Sequence, residues 1–323
     1  MISHPSIRPD VLPAPRLLAN GLAIPEVRAA LRKIPGSRNA LSVVATWFWM
    51  AALIGAVVQI DRWWAWAAGV ILMAPVHARL LILMHEAAHK LLFSNKRVND
   101  FVGTWLIAYP GWTPISLYRR SHFAHHRDEF GPDEPDIPFY SGYRTTPRVL
   151  GRRLLRDAVG ISGWKNLTPL FKGLLRATAR PVAAGILGAQ IILFALMWAT
   201  TGRWYTWVVL WFGSWMTSWR VTNRLRAIAE HGGLGQSSDR RATTHHVRQS
   251  LLARFWMVPY NTGWHLAHHV DMGVPFRNLP AFHAELVQAG YVTPDITYTS
   301  YVQLWKALVS EGRDAWRPVV TVV

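Results

Sequence analysis

Four places in the chain gather histidine at helical spacing. His85-Glu86-Ala87-Ala88-His89 puts an i,i+4 pair on one helix face. His122-Phe123-Ala124-His125-His126 and His265-Leu266-Ala267-His268-His269 each set one ring three and four residues before two others, and His231 follows Glu230 alone. A solitary histidine is ordinarily structural, and one H-E-x-x-H is a weak signal. Two H-x-x-H-H stretches beside an H-x-x-x-H differ, because unligated polar rings near apolar surface are costly and packing gives no reason to gather them. Metal binding is the chemistry they imply. Imidazole suits zinc, copper, iron or nickel, so ligand type leaves the metal open. Nine rings exceed the shell of one ion, so two ions are expected.

Such rings need rigid elements, and the apolar runs supply them. Hydrophobic residues make up 51% of the 323, with 18 Trp and only 16% charged, which favours an all-α integral-membrane protein over two soluble cores. Leu41 to Ile60 and Trp63 to Met84 are apolar for about one bilayer thickness each and are separated by Asp61-Arg62. Val182 to Thr200 and Trp204 to Thr222 form a second pair around Gly202 and Arg203. Two hairpins, hence four spans, are expected, with the histidines just beyond their ends in a helical cap. Phe101 to Leu117 is interrupted by Pro110, Gly111 and Pro114 and reads as interfacial or re-entrant. A span there would also divide the histidines between two sides of the membrane.

The chain reads as a single domain over 1–323. Residues 1–40 form a basic arm, with a short amphipathic helix from Pro25 to Ile34 that turns Val27, Leu31 and Ile34 to one side. Residues 85–181 hold fifteen Lys and Arg against eight acids, so the arm, this segment and residues 223–323 are expected on the cytoplasmic side. The formal charge of +17 fits anionic headgroups and an acidic redox partner, with no nucleic acid. Cysteine is absent, which excludes disulfides and thiolate-held clusters within this sequence. Pro5, Pro9, Pro13 and Pro15 open the chain without the pattern of a cleaved leader, so no signal peptide is expected.

The order and spacing of the three boxes around two hairpins resemble the membrane fatty-acid desaturase and hydroxylase superfamily from about His77 to Leu286. Asn99-Asp100, Tyr118-Arg119-Arg120, Glu230-His231-Gly232, Val274-Pro275 and Leu279-Pro280 add local likeness to bacterial members. The resemblance implies a di-iron centre held by His85, His89, His122, His125, His126, His231, His265, His268 and His269, with dioxygen as co-substrate. It implies removal of two hydrogens from an acyl chain to leave a double bond, at the bacterial cytoplasmic membrane. Hydroxylation or ketone formation at the same irons is the alternative. Family members carry an asparagine four residues before the solitary histidine to hold a metal-bound water. This chain has Ala227 there, and Asn261 or Asn223 is expected to substitute. With no cysteine and no His-Pro-Gly-Gly motif of a fused cytochrome, electrons must come from a separate ferredoxin-like or cytochrome donor.

The remaining polar residues read as follows. Glu86 and Glu230 adjoin proposed ligands and are candidates to orient imidazoles, against the plain reading of interfacial carboxylates. Asp128, Asp133 and Asp136 read as turn and cap residues. His77, roughly 12 Å along the helix from His85, reads as a structural hydrogen-bonding group, with a place on the wall of the substrate cavity as the alternative. Arg79 is close enough to the interface to snorkel, His245, His246 and His283 read as surface histidines, and His4 as disordered. Trp207, Trp211, Trp215 and Trp219 form an i,i+4 stripe expected to pack or anchor, with an acyl-tunnel wall as the functional alternative. Two other classes compete: a membrane zinc protease using His85, Glu86 and His89, which leaves six histidines unexplained, and a metal transporter, which would place ligands within the spans.

Overall fold

A computed structural model describes residues 14–310, and they are mostly helical. The amphipathic helix is α1 (Pro25–Leu31), with Val27 and Leu31 buried. α2 (Gly36–Ile60) ends at Asp61, whose φ of 44° makes the tight reversal of the first hairpin. The return consists of α3 (Trp63–Leu72) and α4 (Ala74–Ala88), joined at Met73, with Pro75 in the first turn of α4 where its missing N–H costs nothing. α5 (Lys96–Phe101) leads into a π-helical stretch, Val102–Ala108, which breaks at Tyr109–Thr113 before α6 (Ile115–Arg127).

The region read as re-entrant is thus a bent element rather than a straight span. It is tied to the membrane helices by Gln190, whose amide donates to the carbonyls of Tyr109 and Pro110 at 2.9 Å each and accepts from Trp211 Nε1 at 3.2 Å. α7 (Ile137–Tyr140), α8 (Pro147–Ala158) and α9 (Ile161–Leu174) then run to α10 (Arg180–Thr201). Three helical stretches among the described residues are long and apolar enough to cross a membrane: Pro25–Ile60, Trp63–Ala88 and Arg180–Thr201. On their outer faces Leu41, Phe48, Trp63 and Ile191 are 68, 73, 81 and 67% exposed, which water would penalise and lipid would not.

The fourth apolar run departs from expectation. Trp204 to Thr222 is segmented into a π-helical stretch, Trp207–Gly213, then α11 (Ser214–Met216), a break at Thr217 (φ −122°, ψ −89°), and α12 (Ser218–His231). The Thr217 hydroxyl donates to Gly213 O at 2.6 Å, a local bond that competes with regular helix. α9 presses on the same point, where a Cβ at Gly163 would come within 2.5 Å of Met216 O. Among the described residues three helical stretches have the length and apolar content of a span and this segmented run is not one of them, so a fourth crossing rests on the sequence expectation.

Beyond α12 the chain forms α13 (Arg240–Thr243), β1 (His246–Val247), α14 (Leu251–Trp256), α15 (His265–Val270), α16 (Leu279–Gln288), β2 (Thr297–Tyr298) and α17 (Tyr301–Ser310). β1 and β2 pair in parallel, His246 with Thr297 and Val247 with Tyr298. The largest apolar cluster joins α2 and α4 to residues around α15 and α16, so the end of α4 is packed on both flanks.

Candidate metal centre

The first box sits where a helix stops, and the four last carbonyls of a helix lack internal partners. Here Asn99 Nδ2 donates to Ala87 O at 2.9 Å, while its Oδ1 accepts from the N–H groups of Leu92 and Phe93. Arg119, on α6, donates to Ala88 O at 2.8 Å and Ala87 O at 3.1 Å and pairs with Asp100 at 2.8 Å. The end of α4 is therefore fastened to α6, the helix that carries the second box. Glu86 reaches across to accept the Phe276 N–H at 3.1 Å, which ties α4 to the segment after the third box.

All nine histidines converge, in two groups. His85, His89, His122, His126 and His268 place one nitrogen each within 4.8 Å of one another. His89 and His122 Nε2 approach to 2.9 Å, His122 and His126 to 3.0 Å, and His126 and His268 to 3.0 Å. In the second group His265 Nε2 lies 3.0 Å from both His231 Nε2 and His269 Nε2, and His125 closes the set with nitrogens of His231 and His269 within 4.8 Å. Stacked rings of His126 and His269, 4.4 Å apart, join the groups.

The outer nitrogens fix which atoms face inward. His231 Nδ1 donates to Thr243 O at 2.8 Å, His269 Nδ1 to Glu129, and His125 Nδ1 to Glu134. Glu230 Oε1 lies 3.7 Å from His265 Nδ1 and pairs with Arg226. With Nδ1 as donor, the Nε2 atoms of His231 and His269 present lone pairs, and His265 Nε2 can carry a proton for only one of them. At least one contact is then lone pair against lone pair, which a shared cation resolves. Burial, reinforced by neighbouring rings, holds His122, His126, His265, His268 and His269 well below the ordinary imidazole pKa, and His89 is pushed down to about 3 by burial and then by Arg119. Burial lowers His231 likewise. For His125 burial also works downward, but the bond and charge of Glu134 outweigh it and raise the ring.

The donor set fits two ions of coordination number five or six. Bonds of about 2.1 Å to imidazole at right angles separate nitrogens by about 3.0 Å, whereas tetrahedral bonds separate them by about 3.4 Å. The five shortest edges, 2.9–3.0 Å, lie nearer the former, and the nitrogens of the first group all fall within 4.8 Å of one another, room for a shared ion.

A cavity of about 410 Å³ lies against the histidines, with His122, His125, His231, His265 and His268 on its wall. Trp215 and Trp219 also line it, so half of the tryptophan stripe faces the cavity, while Trp211 is fully buried in the main apolar cluster. His77 Nε2 contacts Trp211 O at 3.2 Å, the structural bond expected of it, and the ring also lines the cavity, the alternative expected. Arg79 does not simply snorkel: it donates to Pro75 O and Phe255 O and lies over the Trp49 and Phe255 rings.

Several other expectations need correction. Glu86 is held by the Phe276 N–H rather than by an imidazole. Asn261 does not line the cavity and accepts from Arg254 at 2.9 Å, while Asn223 lines it one turn before Ala227. Asp128 ends α6 as a cap residue and Asp133 is exposed, but Asp136 borders the cavity, and burial raises its pKa. His245 and His246 are buried, not superficial, because β1 and β2 cover them: His245 Nε2 donates to Gly232 O at 2.7 Å, and His246 stacks on the half-buried His283 at 4.6 Å. His4 lies outside the described residues. Sequence reasoning missed Glu129, Glu134 and Thr243. Glu129 had no spacing signal, because α6 ends at Arg127 and the ring it holds is His269, far along the chain. Thr243, far from any box, had none.

Helices of bilayer length beneath nine gathered imidazoles define a helical membrane protein with a candidate two-ion centre. Residues 61–302 match the family described as fatty acid desaturase, and the chain belongs to that family. It is 23% identical over 282 residues to the dihydrorhizobitoxine desaturase of Bradyrhizobium elkanii, covering 80% of this chain and 76% of that protein. It is 28% identical over 168 residues to the zeaxanthin 4-ketolase of Chlamydomonas reinhardtii, covering 46% of this chain and 38% of that one.

Proposed function

We propose that the protein is a di-iron, dioxygen-dependent oxidoreductase that introduces a double bond into an acyl chain. The observation that carries this is the pair of nitrogen groups, five rings and four, with edges of 2.9–3.0 Å. His85, His89, His122, His126 and His268 hold one iron; His125, His231, His265 and His269 hold the other. Iron with dioxygen supplies the oxidant that removal of hydrogen from an unactivated methylene requires and that side chains do not offer. The protein's part is positioning: Glu129, Glu134 and Thr243 O orient His269, His125 and His231, and Glu230 stands 3.7 Å from the outer nitrogen of His265. The aromatic side of the cavity, with Trp215 and Trp219, takes the chain and excludes water.

The relatives' names keep a second outcome in play, since one is a desaturase and the other a ketolase, and oxygen insertion differs from desaturation only in how the chain sits. The protease reading loses support from geometry: its general base would be Glu86, which is committed to the Phe276 N–H, and it leaves the other gathered rings without a role. Mass spectrometry of total lipids from a host expressing the wild type or His125→Ala decides. New double bonds in the wild type alone support the proposal; added oxygen selects the alternative; identical lipids reject both.

We place the centre on the cytoplasmic side of a bacterial inner membrane, served by a separate acidic donor of ferredoxin or cytochrome type. The excess of basic residues supports this docking. Turnover should fall several-fold as salt rises from about 0.05 to 0.5 M, and indifference to salt would remove electrostatic docking.

A further inference from the structure

Two guanidinium groups line the cavity, and they differ in what they hold. Arg226 is paired with Glu230 one turn along α12. Arg220 has no carboxylate partner: its Nε donates to Trp215 O at 2.8 Å and its guanidinium lies 4.0 Å over the Trp215 ring. Neither Arg220 Nη atom has a bonding partner among the described residues. Three residues on, and so on the same helix face, Asn223 receives Arg226 Nε on its Oδ1 at 3.4 Å and leaves its Nδ2 donors unused. Asp157 is the nearby counter-charge, but it is bonded to Arg224 and not to Arg220, so the Arg220 fork is left open, and a planar fork answers a carboxylate with two parallel bonds.

The spacing along α12 adds a length. Arg220 precedes His231 by eleven residues, about 16 Å of helix, which an extended chain covers in roughly a dozen bonds. The cavity that both border has apolar walls elsewhere, from Leu80, Met84, Leu117, Phe139 and Phe276, while Trp215 and Trp219 precede Arg220 and Trp215 backs its guanidinium. Resting on the function proposed above, we propose that Arg220 and the Asn223 amide hold the carboxylate of the substrate while its apolar chain runs to the histidines. The substrate class is a monocarboxylate with about a dozen bonds between head and reacting carbon. Arg220 then decides which amphiphiles enter productively, and takes no part in the oxidation.

The test uses the iron-loaded protein in phosphatidylcholine nanodiscs and three probes, dodecanoate, dodecyl phosphate and 1-dodecanol, with binding followed calorimetrically. Wild type should bind dodecanoate at least about tenfold tighter than dodecanol, the effect expected of hydrogen bonds to a charged group. Arg220→Gln should abolish that preference with iron content unchanged, and Arg220→Lys should restore part of it. Equal binding of acid and alcohol by the wild type overturns the proposal without any variant, as does a preference that survives Arg220→Gln. Tighter binding of dodecyl phosphate overturns the carboxylate assignment. Iron measured on the same samples separates the two layers: absent iron counts against the proposed function, whereas lost preference in an iron-replete wild type counts against the anchor alone.

Discussion

In the second group three rings, His125, His231 and His269, have their outer nitrogen held by Glu134, Thr243 O and Glu129. Glu134 accepts the Nδ1 proton of His125 and also the N–H of Phe130, so it fixes both a ring and the turn after α6. Glu134→Ala should weaken iron retention by about 10- to 100-fold under chelator challenge, leaving helix content intact; unchanged retention would remove its orienting role. A second residue-scale prediction concerns His245, whose buried imidazole is pushed down to about 4, foremost by burial. The unfolded chain, near 6.5, takes up the proton first. The contribution is therefore complete above about pH 6.5 and is lost as pH falls toward 4, on the order of 3 kcal/mol at most. Thermal unfolding of His245→Gln should lose less stability between those values than wild type; parallel losses would contradict the assignment. At this scale the nine histidines were legible because repeated spacing has no packing explanation. His245 was not legible, because a polar, basic stretch gave no sign that β2 would return from fifty residues later to cover it.

Elements carry the next level of precision, and the end of α4 shows how. Asn99 and Arg119 satisfy carbonyls that the helix cannot satisfy itself, and in doing so lock α4 to α6. Arg119→Ala removes three bonds at once and should cost about 1–3 kcal/mol, read as a lower midpoint in thermal unfolding and faster iron loss from the first group. A midpoint equal to wild type would show that the cap is dispensable. The long apolar runs were legible to within a few residues, since α2 and α10 follow hydrophobic length. The segmentation of the fourth run was not. Hydropathy is blind to the local bond from Thr217 to Gly213 and to the close packing of Gly163 on Met216.

Across the whole molecule the fold brings distant rings together: His89 and His268 are far apart in sequence yet share one group. This arrangement requires that the segments after α4 and after α12 lie on one side of the membrane. The lack of cysteine makes that easy to read with single introduced thiols. A membrane-impermeant maleimide should label Arg62→Cys in intact cells and leave Ser238→Cys unlabelled until the membrane is opened. The reverse pattern would invert the proposed orientation. The central claim is tested most directly by metal analysis of the purified wild-type protein with Mössbauer spectroscopy. Two irons per chain in nitrogen-rich, five- or six-coordinate sites are predicted. A single tetrahedral zinc, or protein that folds and stays metal-free in iron-replete medium, would contradict it.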